Sequence, residues 1–439
     1  MTDFRYTPLK SPSSELRLVT IEHNLEPTFY IKCDISTYAS PKQRSYQALS
    51  YTWGDTSTKV PIYLNGKLFM VTLNLESALR NIRCKTAAEK GRQAPLWIDA
   101  ICINQEDVDE RDEQVRRMKA IYQGADQVLI WLGDYDEPSD KDALARVQRR
   151  LVASIAYSSP KLVTRALTVM EVITRDLDSP IEASMKRLHV ESLTIVDWLQ
   201  LLRIFHRPWF ERLWVIQELA VSTQAVGVWG RTTVPWKDLE KVADFILRPN
   251  KNLITTEVRQ LLPWIGAQRM TQVDLQSMPL VQTKNILTIL HNTQNAKCTD
   301  PRDRLFAILG IVEDSIDVEI DYSIPVEKVY RDWAWKRIRR TKTLDILTAC
   351  ADSRRSGDLP SWVPDLRKPF GQNKALWIDS QFGDNGCRPR KLELLQSEAI
   401  SFSADGRRVL VKGIYSSSIT SLSVVGDGVT GYVNSAREI

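Results

Sequence analysis

LWIDAICINQEDVDERDEQVRRMKAIYQGADQVLIWLG, residues 96–133, is the stretch that decides the fold class. Leu96-Trp97-Ile98 is an apolar run that ends on Asp99, and a polar loop follows through Gln105. Next, Val115, Met118, Ile121 and Tyr122 recur at helical spacing and share one face, while Arg116, Arg117 and Lys119 point elsewhere. A second apolar run, Val128 to Leu132, then ends on Gly133 and Asp134. Strand, amphipathic helix and strand in that order make a parallel βαβ unit. Acidic and polar groups therefore collect at the carboxyl ends of the strands, the edge where open α/β sheets bind ligands.

Working outward, Glu15 to Glu22 and Thr28 to Ile35 alternate as strands, and YQALSYTWGD at Tyr46 to Asp55 is a buried strand opening into a Gly turn. Val60 to Leu64 and Lys67 to Val71 flank Asn65-Gly66, which supplies both positive φ angles of a type I′ hairpin turn. Asn74 is placed to cap a helix running through Arg83. From residue 139 to 206 the chain is helical and charged, with helical spacing in Leu144 to Ala156 and Leu193 to Phe205, and reads as an insertion. Pro208 then opens RPWFERLWVIQELAVS as a helix. A strand at Ala225 to Trp229 precedes helices at Trp236 to Leu247, Asn285 to Asn295, Pro301 to Leu309 (capped by Asp300) and Val326 to Arg340. Ile400 to Ser403 and Val409 to Lys412 flank an Asp405-Gly406 turn. The expected fold is α/β: a mainly parallel sheet with helices on both faces, an inserted hairpin, helical segments and a C-terminal mixed α/β region. Its expected divisions are 1–45, N-terminal strands packing on the core; 46–311, the α/β domain with the insertion at about 139–206; and 312–439, a helical and small β region.

Composition narrows the function classes. Of 439 residues, 43% are hydrophobic and 26% charged, which is ordinary for a folded chain. A net charge of +5 with basic residues interleaved among acids gives no nucleic-acid footprint. Six scattered cysteines without a CxxC pair, and four histidines, indicate neither a metal site nor a disulfide scaffold. The N-terminus lacks the apolar core of a signal peptide, and no apolar run nears the ~20 residues that cross a bilayer. No membrane span and a cytoplasmic location are expected. Phosphate-cradling Gly loops are absent, so kinase, ATPase and Rossmann dehydrogenase readings fall away.

Several long phrases together resemble the heterokaryon incompatibility (HET) domain family of filamentous fungi. They are YQALSYTWGD at Tyr46, LWIDAICINQEDVDERDEQVRRMKAIY at Leu96, VLIWLG at Val128, RPWFERLWVIQEL at Arg207 and, more loosely, CTDPRDRLFAILGI at Cys298 and LPSWVPDL at Leu359. The resemblance implies an intracellular effector of non-self recognition and programmed cell death, triggered by a protein partner of unknown identity. A more distant similarity is to Toll/interleukin-1 receptor (TIR) domains, some of which cleave NAD. Ser50 to Asp55 resembles the Ser-aromatic-Gly-Asp loop after that fold's first strand, and Trp97-Ile98-Asp99 its second strand. Trp214 and Glu218 have the Trp-x-x-x-Glu spacing of its catalytic helix. The chain departs from that pattern in the hairpin at Val60 to Val71, in the long segment from Asp134 to His206, and in Val215 where a cysteine is common. This similarity implies NAD as a substrate rather than a bound cofactor, and self-association into a homo-oligomer.

The residues themselves leave two readings open. Glu218 stacks one turn above Trp214, and its helical neighbours Trp214, Val215, Val221 and Ser222 include no base. A carboxylate so placed is desolvated, its pKa rises, and it suits stabilisation of an oxocarbenium-like centre. The alternative is an ion pair with a distant arginine, such as Arg207, Arg212 or Arg302. Asp99, at a strand end, suits a ribose hydroxyl or the capping of loop amides. Asn104 and Gln105 offer uncharged donors and acceptors, Trp53 a stacking face, Gly54 close backbone approach, and Ser50 the facing wall; all these, with Trp214, form the expected substrate-binding set. Cys102 with His206 as a nucleophile and base is the thinner reading, because a thiol between Ile101 and Ile103 suits packing. The same fold without chemistry, a self-assembling signalling module, is the competing function.

Overall fold

The computed structural model describes residues 3–22, 30–40, 44–88, 94–134, 160–175, 181–190, 192–247, 286–312, 318–350, 358–368, 400–403 and 405–411. The chain divides into two compact units, Met1–Tyr330 with Leu366–Phe370, and Arg331–Asp365 with Gly371–Ile439.

A nine-stranded sheet organises the first unit. Its strands are β1 (Leu16–Ile21), β2 (Lys32–Tyr38), β3 (Gln47–Ser50), β4 (Lys59–Leu64), β5 (Lys67–Thr72), β6 (Leu96–Trp97), β7 (Gln127–Trp131), β8 (Ala225–Trp229) and β9 (Thr232–Pro235). They lie in the order β5-β4-β2-β1-β6-β3-β7-β8-β9. Strands β6, β3, β7 and β8 form a continuous parallel core. Around it the sheet is mixed, which corrects the expectation of a mainly parallel one: β2–β4 is parallel, but β1–β2, β1–β6, β4–β5 and β8–β9 are antiparallel. Strands β4–β5 and β8–β9 are antiparallel because their connections are short, and only a crossover can return a strand parallel to its neighbour. Asn65 and Gly66, at φ 50° and 74°, make the tight turn between β4 and β5, and Gly230 at φ 52° turns β8 into β9.

Strands β6 and β7 of the βαβ unit do not touch each other. Strand β3 lies between them, with Gln47 opposite both Leu96 and Gln127. Ala48, Leu49 and Ser50 are fully buried, as befits a central strand covered on both faces.

Helix α1 (Leu73–Ala88) runs beyond Arg83, and a four-residue turn of helix, α2 (Asp99–Cys102), follows β6 directly. The helix expected between β6 and β7 is in fact two, α3 (Val108–Arg116) and α4 (Met118–Gly124), breaking at Arg117 where ψ is −4°. Met118, Ile121 and Tyr122 form the apolar face of α4. The inner face of α3 is polar instead: Glu110, Asp112 and Gln114 are buried. Glu110 takes both guanidinium nitrogens of Arg17 on β1, at 2.5 and 2.9 Å, and each side chain is only 3% exposed. Arg17 also donates to the carbonyls of Cys102 (3.0 Å) and Thr7 (2.9 Å), while Glu110 accepts the amide of Asn104 at 2.7 Å. One buried pair thus fixes β1, α3, the loop after α2 and the N-terminal segment.

Further along lie α5 (Pro160–Arg175), α6 (Ile181–Arg187) and α7 (Ile195–Phe205), all within the segment read as a helical insertion; Leu144 to Ala156 falls outside the described residues. The phrase from Pro208 is also two pieces. A 3-10 turn, Pro208–Glu211, is separated from α8 (Trp214–Ala220) by Arg212, whose backbone is extended at ψ 142°. The first unit also holds α9 (Trp236–Leu247), α10 (Ile286–Asn292) and α11 (Asp303–Leu309), and the division between units falls inside α12 (Val326–Thr341). In the second unit β10 (Ile400–Phe402) pairs antiparallel with β11 (Val409–Val411) around Gly406 at φ 66°. Phe402 packs edge-on against Trp362 there, with ring centroids 5.3 Å apart. No helix among the described residues is long and apolar enough to cross a membrane.

Removing one partner of a buried ion pair strands the other charge, so Glu110→Ala should cost about 3–5 kcal/mol of unfolding free energy. Denaturant titration of the variant checks this. A loss below about 1 kcal/mol, the scale of an exposed pair, would show that Arg17 finds water or another acceptor.

Candidate active site at the carboxyl edge of the central strands

Three neighbouring parallel strands bring the site together. Ser50 is the last residue of β3, Asp99 follows β6, and Trp131 closes β7. Where connections after adjacent parallel strands depart to opposite sides, their carboxyl ends leave a crevice. Here β3 leads to β6 on one side, and β6 leads back across to β7 on the other.

Glu218 enters this edge from α8. It is 3% exposed, and its Oε2 accepts the hydroxyl of Ser50, itself fully buried. Ser50 Oγ in turn accepts the indole N–H of Trp209 at 2.7 Å. Tyr122, whose hydroxyl is 3.3 Å from the Leu49 carbonyl, also reaches the Glu218 carboxylate. Burial pushes Glu218 up to about 7, against the opposing pull of Arg212 and the Ser50 hydrogen bond, and with a further push from Asp99. No salt bridge to Glu218 exists among the described residues. Of the arginines considered from sequence, Arg207 donates to the Asp134 carbonyl at 2.9 Å and Arg302 pairs with Asp300. Arg212 donates to the Tyr51 carbonyl and acts on Glu218 only through its field.

Asp99 forms a second, half-buried node. Its Oδ2 accepts the indole N–H of Trp53 at 2.9 Å, its Oδ1 accepts the amide of Ala100 at 2.7 Å, and the Tyr51 hydroxyl also reaches it. Burial raises its pKa, opposed mainly by Arg212. Gln105 donates to the Asp99 carbonyl at 3.0 Å, which folds the loop back over the strand end. Two carboxyl groups, both raised by burial and both under the field of one arginine, thus meet the ends of adjacent strands, Asp99 just after β6 and Glu218 from α8 at Ser50 of β3. Such coupled acids, with pKa values displaced toward neutrality, suit proton transfer and the stabilisation of a cationic centre.

A cavity of about 770 Å³ opens beside this group, lined among others by Tyr51, Trp53, Asn104 and Gln105. Ser50, Asp99 and Glu218 are not on its wall; Asp99 is tied to the lining residues Trp53, Ala100 and Gln105 by the bonds above, whereas Ser50 and Glu218 bond to residues outside the lining. Gly54 adopts φ 72°, and a Cβ there would meet Asn74 Cβ at 3.3 Å, so glycine suits the turn twice over. Trp214 goes elsewhere: it is half-buried, and its indole bonds the Asp303 carboxylate. Cys102 is buried, with its pKa pushed up to about 12 by desolvation, and its thiol packs against the backbone of Leu96 and Ile98. That state is unsuited to a nucleophile.

Sequence reasoning gave Trp209, Tyr51, Tyr122 and Asn74 no place in the site. Asn74, read as a cap, instead donates to the Thr52 carbonyl at 2.6 Å and accepts from Trp131 at 2.7 Å, clamping the Thr52–Gly54 turn to β7. The available signal was the density of aromatics in YQALSYTWGD and RPWF, since a buried Trp or Tyr needs a partner for its polar tip.

Residues 46–218 match the family model described as Heterokaryon incompatibility protein (HET), so the match starts at Tyr46 in β3's approach and ends on Glu218. Across 405 residues the chain is 29% identical to "Heterokaryon incompatibility protein 6, OR allele" of Neurospora crassa, covering 81% of this chain and 58% of that protein. The chain therefore spans well under two thirds of that relative's length. No solved structure matches it.

The raised pKa makes a stability prediction. Between about pH 4.5 and 7 the unfolded chain releases the Glu218 proton while the folded chain retains it, so this group's contribution falls as pH rises and is flat above about 7. Glu218→Gln keeps an acceptor for Ser50 and carries no charge. It should match the parent near pH 5 and be more stable at pH 8, by an amount on the order of 2–3 kcal/mol. Thermal melts at both pH values check this; a variant less stable at pH 8 would mean that Glu218 is held as a paired anion.

Proposed function

We propose, from the match of residues 46–218 to the heterokaryon incompatibility (HET) family model, that this chain acts in vegetative incompatibility, as an effector of non-self recognition and programmed cell death, by cleaving NAD. The observation that carries the chemistry is Glu218, a buried carboxyl with a pKa near 7 bonded to the last residue of the central strand. The parallel order β6-β3-β7-β8 supports the TIR-like part of the reading, because the second strand in sequence lies on one side of the first and the third on the other.

In this reaction the bond from ribose to the nicotinamide nitrogen breaks, and its electron pair leaves with neutral nicotinamide. The ribose carbon becomes oxocarbenium-like and Glu218, ionised, stabilises it. Water adds to that carbon and gives its proton to the carboxylate. Asp99 holds Trp53 as the stacking wall, and Asn104 and Gln105 supply the neutral hydrogen bonds. Glu218 lies behind Ser50 in the closed form, so the Ser50–Glu218 bond must give way as ligand enters, and self-association of copies is the step that favours the open form.

A second reading keeps the same residues as structure only: Glu218 is 3% exposed and already satisfied by Ser50. In that case the domain signals by assembly alone. The two are separated by following nicotinamide release from NAD at high protein concentration. Glu218→Ala and Glu218→Gln should lower turnover at least about 10²-fold, the size of losing one transition-state electrostatic partner. Parent turnover should climb with pH and level off above about 7, as the carboxylate ionises. No turnover in any assembly state, with cell killing intact in both variants, would leave the assembly reading.

A further inference from the structure

Besides Tyr51 and Trp53, the 770 Å³ cavity is walled by parts of the chain that the TIR resemblance does not cover. One wall is the hairpin, through Lys59 and Phe69; another is the N-terminal strap, through Arg5 and Tyr6. The strap is fastened at both ends. The amide of Phe4 donates to the Leu68 carbonyl at 2.9 Å on the hairpin, and the Tyr6 hydroxyl donates to the Ile101 carbonyl at 2.9 Å beside the loop of Asn104. Phe4, Tyr6 and Phe69 pack edge to face, with centroids 5.0 to 6.1 Å apart. Rings and backbone bonds therefore hold these walls without using either cation. Arg5 and Lys59 are both exposed and form no ion pair among the described residues, and they face a lining with one acid, Glu106.

The remaining lining is suited to a flat, polar ring. Trp53 is held in place by its bond to Asp99, so its face is presented at little entropic cost. Asn104 and Gln105 each offer amide donors and acceptors, the groups that read the edge of a heterocycle. Two unpaired cations on the same cavity call for an anion with several oxygens. The volume is in the range of sites that enclose ligands of this size.

We propose that this cavity binds a nucleoside diphosphate moiety, its ring on Trp53 and the Asn104–Gln105 amides and its diphosphate held by Arg5 and Lys59. The assignment deepens the proposed NAD chemistry and rests on it for the identity of the whole substrate, but the binding it claims does not require cleavage.

The test is calorimetric titration of the full chain with ADP-ribose, which lacks the bond to be broken, beside adenosine and inorganic pyrophosphate. The parent should bind ADP-ribose. Arg5→Ala and Lys59→Ala, both surface changes, should each weaken it about tenfold, as for loss of one charge-assisted hydrogen bond, and should flatten its salt dependence. Adenosine and pyrophosphate should each bind at least tenfold more weakly than ADP-ribose. Adenosine binding as well as ADP-ribose would overturn the role of the cations, and pyrophosphate doing so would reduce the site to a bare anion trap. If ADP-ribose binds with the expected dependence and NAD is never cleaved, the cavity stands and the enzymatic reading fails. If NAD is cleaved and neither cation variant changes KM for NAD, the cleavage stands and this assignment fails.

Discussion

The hydrogen bond from Ser50 to Glu218 is the constraint around which the first unit is arranged. It joins the end of the central strand to α8, and Trp209 completes the chain by donating to the same serine. A carboxyl buried this deeply is tolerable when it is neutral or well bonded, and here burial raises its pKa to about 7 while the Ser50 hydroxyl donates to its Oε2. The result is an acid that changes charge at neutral pH inside the core. That property has a cost to stability above neutrality. It is also the property that chemistry at this edge would use.

A second network sets where the cavity lies. The Arg17–Glu110 pair gathers the carbonyls of Thr7 and Cys102 and the amide of Asn104 onto one buried charge pair. Residues of the N-terminal segment, of β1 and of the loop after α2 consequently hold fixed positions around Trp53. Asn74 does the equivalent for the Thr52–Gly54 turn. Neither network borders on the Glu218 carboxylate, so the cavity walls and the buried acid are separately supported. Changes to one are therefore expected to leave the other standing.

Much of this was legible in the residues. The strands at Leu16–Ile21, Gln47–Ser50 and Ala225–Trp229 and the Asn65-Gly66 hairpin follow from alternation and turn chemistry, which are local signals. The missing basic neighbours of Glu218 pointed to its raised pKa, because helix spacing is also local. What was not legible depended on tertiary placement. The antiparallel flanks of the sheet come from which edges the hairpins join, and β3's place between β6 and β7 is set by a crossover that no spacing encodes. The polar inner face of α3 escaped an apolar-stripe reading because its partner, Arg17, lies 93 residues away. Trp214 shares a helix face with Glu218 in principle, yet its indole reaches Asp303 from α11, a contact that only packing reveals.

The central claim is that Glu218 is a buried acid poised at neutrality on the carboxyl edge of β3. Its protonation can be read directly by infrared difference spectroscopy across pH 4 to 9, subtracting the Glu218→Gln variant to isolate one carboxyl. The account predicts a protonated carboxyl stretch that disappears with a midpoint near pH 7, together with a shift of that midpoint when Ser50→Ala removes the hydroxyl donor. A midpoint at or below the ordinary glutamate value of about 4.3 would contradict it, by showing an anion already paired in the folded chain.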